Sequence, residues 1–149
     1  MSERTDRRPL AVFDIDNTLA GTDHRQHFLE RRPRDWDVAL AVERAADCEV
    51  VYLTGRPERY RAHTAEWLTR HGLPEGRLWM RGNQDRRPAR TAKLEVLRRI
   101  ARGREVRMLV DDDELVCRAA RAAGFRVVQA DWAADAPELR TAQEGEGRT

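Results

Sequence analysis

Apolar residues in this chain follow two rhythms. Short runs at Leu10 to Phe13, Val50 to Leu53, Leu78 to Met80, Val106 to Val110 and Phe125 to Val128 fit strands buried on both faces. Between them, apolar positions gather on one side of a helical period. Pro57 to His71 sets Tyr60, Thr64, Trp67, Leu68 and His71 on one face, with Pro57 suited to the first turn and Gly72 just past the end. Thr91 to Arg102 groups Leu94, Leu97, Ile100 and Ala101 before Gly103, and Glu114 to Ala123 groups Leu115, Ala119 and Ala122 before Gly124. A further helix is expected from about Asp35 to Ala46. Strands alternating with helices predict an α/β fold: a five-stranded parallel sheet with helices on both faces.

Length and composition narrow this picture. At 149 residues there is room for one ordinary domain, and 40% hydrophobic against 36% charged residues describes a globular protein with a charged surface. Residues 131–149 hold five acids and two arginines, so this stretch carries −3 and residues 1–130 carry +5. The expected organisation is an arm over 1–9, a domain over 10–130 and an acidic, flexible tail over 131–149. A basic body suits anions without demanding a nucleic acid. Of the 28 basic residues Lys93 is the only lysine. The two cysteines, Cys48 and Cys117, make neither a disulfide framework nor a zinc spacing, which favours packed thiols in a reducing compartment. Leu10 to Phe13 is too short an apolar run for a signal peptide or a membrane span, so the expected location is cytoplasmic.

In a parallel α/β sheet, function collects at the carboxyl ends of the strands. Asp14-Ile15-Asp16-Asn17-Thr18 follows the first run, Thr54-Gly55-Arg56 the second, and Asp111-Asp112-Asp113 the fourth. Lys93 falls in the first turn of the expected helix before that fourth strand. Carboxylates crowded together repel, and a hard cation such as Mg²⁺ with oxygen ligands relieves them. One carboxylate can attack phosphorus while a second, two residues on and on the same face of an extended segment, moves the proton. Thr54 can donate to the phosphoryl group, and Lys93 can offset charge on its oxygens in the transition state. Asp113 fits a cap on the following helix.

These residues, in this order, resemble the haloacid dehalogenase (HAD) superfamily of phosphatases, with AVFDIDNT, VVYLTGR, Lys93 and MLVDD as its four motifs. The resemblance implies a Rossmann-like HAD fold, Asp14 as nucleophile, Asp16 as general acid and base, and catalytic support from Thr54 and Lys93. It implies Mg²⁺ held by Asp14, the Asp16 carbonyl and an acid of the Asp111-Asp112 pair. Within the superfamily the chain is most similar to the 3′-phosphatase domain of phage-type polynucleotide kinase. That likeness rests on Arg25 eleven residues after Asp14, on Arg56, and on Asp111-Asp112 twelve residues before Gly124. It implies substrate contacts for Arg25 and Arg56, with Thr18 and Gly55 beside the phosphoryl group. Asn17 stands where glycine is usual, and Val116 replaces an acid many relatives carry. No GxxxxGK[ST] sequence is present, so the likeness stops at the phosphatase half.

Each assignment has a plainer rival. Arg25 and Arg56 could form structural salt bridges, and the arginines at 81, 86, 87 and 90 read either as a solvated loop or as an anionic track. His24 and His27 lack a third metal ligand nearby in sequence and fit packing roles. Trp36, Trp67, Trp79 and Trp132 fit the core or an interface, with Trp36 a candidate for stacking on a base. A signalling receiver domain uses similar groups in a different order. The 29 residues between Thr18 and Cys48 and the 38 between Thr54 and Lys93 leave no room for a separate cap domain. In the superfamily the chain resembles, a missing cap implies either an open cleft for a macromolecular end or a lid from another subunit. Removal of 3′-phosphates from nucleic-acid ends or nucleotides is the expected activity. The alternatives are an oligomeric phosphatase of small metabolites and a non-catalytic binding protein on the same fold.

Overall fold

The computed structural model describes residues 8–16, 18–19 and 47–130. The expected helix at 35–46 and the acidic tail, as well as Asn17, His24, Arg25, His27, Trp36 and Trp132, lie outside them. Five strands, β1 (Leu10–Phe13), β2 (Glu49–Pro57), β3 (Arg77–Arg81), β4 (Val106–Asp111) and β5 (Val127–Gln129), form one parallel sheet in the order β3-β2-β1-β4-β5. The helices are α1 (Arg61–Arg70), α2 (Ala89–Ala101) and α3 (Glu114–Ala122), with a 3₁₀ turn over Glu58–Tyr60. From β1 the chain first steps outward to β2 and β3, then returns to the other side of β1 for β4 and β5. This reversal opens a crevice beyond the carboxyl ends of β1 and β4.

The unbroken apolar runs are explained by burial on both faces of the sheet. Ala11 and Phe13 of β1 join Val50, Tyr52, Leu78 and Val110 beneath Trp67 and Leu68 of α1. Leu10 and Val12 point the other way, to Val51, Leu53 and Leu109, and are covered by Leu97 and Ile100 of α2 and by Val116 and Ala120 of α3. The stop signals act as expected at two glycines. Gly72 and Gly124 have φ of 71° and 94°, where a side chain is strained. Around them Leu73 donates to the Leu68 carbonyl and Phe125 to the Ala120 carbonyl, closing α1 and α3 in the same two-bond motif.

Four boundaries differ from the sequence pattern. β2 runs on through Thr54-Gly55-Arg56 to Pro57, and α1 starts at Arg61 because residues 58–60 make the tighter 3₁₀ turn. α2 begins at Ala89, directly after Pro88, whose carbonyl accepts from Thr91 and Ala92. Lys93 therefore lies in the second turn, not at the helix N-terminus. β5 is the short edge segment Val127–Gln129, with Phe125 packed against the core before it. From Thr54 to Lys93 the chain is consumed by the end of β2, α1, β3 and the entry to α2, with no separate cap in that span. None of the described helices is long and apolar enough to cross a membrane.

Candidate active site

β1 delivers Asp14 to the crevice, and its backbone N–H still bonds the Val110 carbonyl of β4 at 2.9 Å. The next residues curl into a turn in which Thr18 and Leu19 both donate to the Ile15 carbonyl. This turn brings the Thr18 hydroxyl back to Asp14, where it donates to Oδ2 at 3.0 Å. Thr18, expected beside the substrate, thus orients the Asp14 carboxylate.

β2 reaches the site by an irregularity. Leu53 pairs with Trp79 and Pro57 with Arg81, so four residues of β2 advance against two of β3. The surplus is a bulge containing Thr54, Gly55 and Arg56, from which the Arg56 side chain reaches Asp16 just past β1. The Thr54 hydroxyl accepts from the Arg56 N–H at 3.2 Å, leaving its own O–H available as a donor. Arg56 is buried, 1% exposed. Its Nε and Nη2 donate to the two oxygens of Asp16 at 2.8 and 2.7 Å, and its Nη1 donates to the Thr64 hydroxyl at 3.2 Å. The Trp67 ring lies 5.9 Å from the guanidinium. All three nitrogens of Arg56 are engaged inside the protein, and it grips Asp16, as the rival salt-bridge reading expects. Thr64 escaped the sequence reading as a functional residue, although a polar residue on the apolar face of α1 was the available signal.

β4 ends in Asp111, and the following turn orders the acids into different tasks. The N–H of Asp113 donates to Asp111 Oδ1 at 2.9 Å, while the Asp113 carboxylate caps α3 by accepting from Leu115 and Val116. The cap role expected of Asp113 is present. α2 supplies Lys93 from its buried face, and the ammonium donates to Asp14 Oδ1 at 2.9 Å and Asp111 Oδ2 at 2.8 Å. Burial opposes the charge on Lys93, but the carboxylates of Asp111 and Asp14 outweigh it and hold its pKa above the ordinary lysine value.

The acids are under strain of the opposite kind. Desolvation and the neighbouring Asp14 raise Asp111 to about 6, against the pull of Lys93. Asp112 is raised well above the ordinary value by burial and by the charges of Asp14 and Asp111. Its Oδ1 is buried and has no hydrogen-bond partner. Oxygens of Asp14, Asp111 and Asp112 lie within 4.8 Å of one another. Three carboxylates so placed, one with an orphaned oxygen, fit a hard divalent cation better than they fit one another. Of the residues singled out in the sequence, the structure brings Asp14, Asp16, Thr18, Thr54, Gly55, Arg56, Lys93, Asp111 and Asp112 to the strand ends.

A Rossmann-like parallel sheet carrying these groups at its carboxyl ends defines a HAD-type phosphatase. The chain belongs to the family of the polynucleotide kinase PNKP phosphatase domain, whose model matches residues 9–134. Comparison with curated proteins gives no match. Two solved structures share the fold: "Structure of Pnkp1/Rnl/Hen1 complex", at 21% identity and TM-score 0.73, and "Structure of the Pnkp1/Rnl/Hen1 RNA repair complex", at 23% and 0.73. Both similarities cover 87% of this chain but only 48% and 44% of the matched chains, so it spans about half their length.

Proposed function

We propose that this phosphatase removes the phosphate from a 3′ end of a nucleic acid or nucleotide through an aspartyl-phosphate intermediate, with Mg²⁺ as cofactor. The observation that carries the covalent route is Asp14 itself, a buried carboxylate with one oxygen held by Thr18 and the other by Lys93. A carboxylate fixed at both oxygens and facing a crevice is set to attack rather than to tumble. An oxygen of Asp14 forms a bond to phosphorus as the bond to the 3′ oxygen breaks, and Asp16 gives that oxygen a proton. In the second step Asp16 takes a proton from water, whose oxygen displaces Asp14 and leaves inorganic phosphate. Arg56 fixes the carboxylate that moves these protons. The Thr54 hydroxyl and the Lys93 ammonium would meet phosphoryl oxygens, the second with a full charge. Asp14, Asp111 and Asp112 would hold the cation, which when bound neutralises part of the phosphate charge.

The 3′-end specificity draws on the family match and on the basic body. A substrate panel of 3′-phosphorylated oligonucleotides, 5′-phosphorylated controls, mononucleotides and sugar phosphates tests it. The expected result is the highest kcat/KM on 3′-phosphorylated nucleic acid. A clear preference for a sugar phosphate or 5′-mononucleotide overturns the substrate assignment and leaves the phosphatase chemistry standing.

A further inference from the structure

Of the arginines after β3, only part forms the solvated loop. Arg86 and Arg87 are exposed, but Arg81 is 6% exposed and donates through Nη2 to the Arg87 carbonyl at 2.5 Å. Arg81 ends β3 beside a cavity of about 160 Å³ whose polar lining is Thr54, Lys93, Arg81, Arg87 and Arg99 together with the acids Asp85 and Glu95. A larger groove, of about 1040 Å³, lies past the amino ends of β1 and β2 and is lined in part by Arg77, Trp79, Arg99 and Arg104. Arg99 borders both, at the seam between β3 and α2.

The chemistry along this seam is that of a polyanion carrying flat rings. Arg77, Trp79 and Arg81 alternate along β3 and so share one face, that of Trp79, which packs toward the α2 cluster. The Arg77 guanidinium lies 4.2 Å from the centre of the Trp79 ring. Arg77 has no ion pair among the described residues, and Arg99 reaches Glu95 only at 3.5 Å. Arg87 and Arg104 are more firmly paired, the first with Asp85 and Glu95, the second with Glu49. Arginines at intervals with a tryptophan among them match phosphates at intervals with bases to stack. An acidic peptide would answer the charges but offer no rings.

We propose that the β3–α2 seam is the track for the nucleotides upstream of the 3′ phosphate in a single-stranded polynucleotide. Resting on the 3′-end reading above, this gives the substrate class a path: terminal phosphate at Asp14, backbone past Arg81 and Arg99, a base at the Trp79–Arg77 platform. β3 has five residues, about 16 Å of strand, which equals the rise of roughly five stacked nucleotides.

The test uses the full chain with Mg²⁺ and 3′-phosphorylated oligonucleotides of one to ten nucleotides, with kcat/KM and direct binding by fluorescence anisotropy as readouts. For the native chain, kcat/KM is expected to rise with length and level off near five nucleotides. Charge reversal at the exposed pair, R77E with R99E, should remove this length dependence, about a tenfold loss on the longest substrate, with p-nitrophenyl phosphate turned over within twofold of normal. Trp79→Phe should retain the length dependence and Trp79→Ala weaken it. Removing both arginines as alanines should lower the slope of log affinity against log salt by about 0.7 for each phosphate left without its arginine. If 3′ ends are processed but R77E/R99E keeps the native length and salt dependence, the track is overturned and the 3′-end function stands. If the chain neither binds nor processes oligonucleotides while p-nitrophenyl phosphate is hydrolysed, both fall.

Discussion

Asp14 and Asp16 are two residues apart in sequence, yet the fold gives them different restraints. Asp14 is held by a hydroxyl and an ammonium, Asp16 by a guanidinium fork. Asp14→Asn keeps the shape and removes the proposed nucleophile, so turnover should fall to background while circular dichroism and melting stay native-like. Lys93→Ala should lower kcat by about 10²- to 10³-fold, the usual effect of deleting one transition-state donor. It also strips a buried counter-charge from Asp14 and Asp111, so thermal unfolding without metal should show the loss of about 3 kcal/mol. Arg56→Lys keeps the charge but loses the two-pronged grip. Its kcat should drop far more on alkyl phosphates, whose leaving oxygen needs a proton, than on p-nitrophenyl phosphate, whose leaving group does not. A small alkyl phosphate is the telling substrate, since a weakened grip on nucleic acid would leave it unaffected.

At the scale of elements, the site depends on how strands and helices end. The β2 bulge brings Arg56 to Asp16 beyond β1, and the turn after β4 shares three consecutive acids between the metal-type cluster and the cap of α3. Asp113→Ala should cost about 1 kcal/mol of stability through the lost cap, measured by denaturant unfolding. Gly72→Ala should cost a similar amount, about 1 kcal/mol, because its φ of 71° lies in the left-handed region. Only the first change borders the candidate site: alanine keeps the N–H that bonds Asp111, but the loosened cap frees the turn that positions it. Activity should fall with Asp113→Ala more than with Gly72→Ala at matched stability.

Over the whole molecule, stability and the proposed metal binding would be linked through the crowded acids. Asp111 is raised to about 6 from an ordinary value of 3.8, so the folded state binds its proton more tightly than the unfolded state does. Its contribution to stability is full below about 3.8 and is lost as pH rises through about 6. Without metal, the melting temperature should therefore carry a downward component between these values that Asp111→Asn removes. On the proposed role, Mg²⁺ would compete with protons for the same oxygens, so the difference in melting temperature between Mg²⁺ and chelator should widen from pH 5 to pH 7.5. At a hundredfold excess over Kd the stabilisation is about 2.7 kcal/mol, a shift of a few degrees for a chain of this size.

Much of this was legible in the sequence because it is local. Continuous apolar runs require strands covered on both faces, glycines past helical patterns require stops, and carboxylates directly after strands arrive at the strand ends of a parallel sheet. Asp14, Asp16, Asp111 and Asp112 could be singled out on that basis, Thr54 by its place after a strand, and Lys93 as the only lysine at a helical position before β4. Partners could not be named, because they are set by register and helix phase between segments far apart in the chain. That Arg56 closes on Asp16, forty residues away, depends on a bulge with no local sequence signature. That Lys93 bridges Asp14 and Asp111 depends on α2 starting at Ala89 and turning its fifth residue inward. The same holds for the β3–α2 seam: the chain supplies arginines in abundance, and only packing decides that Arg81 is buried while Arg77 and Arg99 stay at the surface around Trp79.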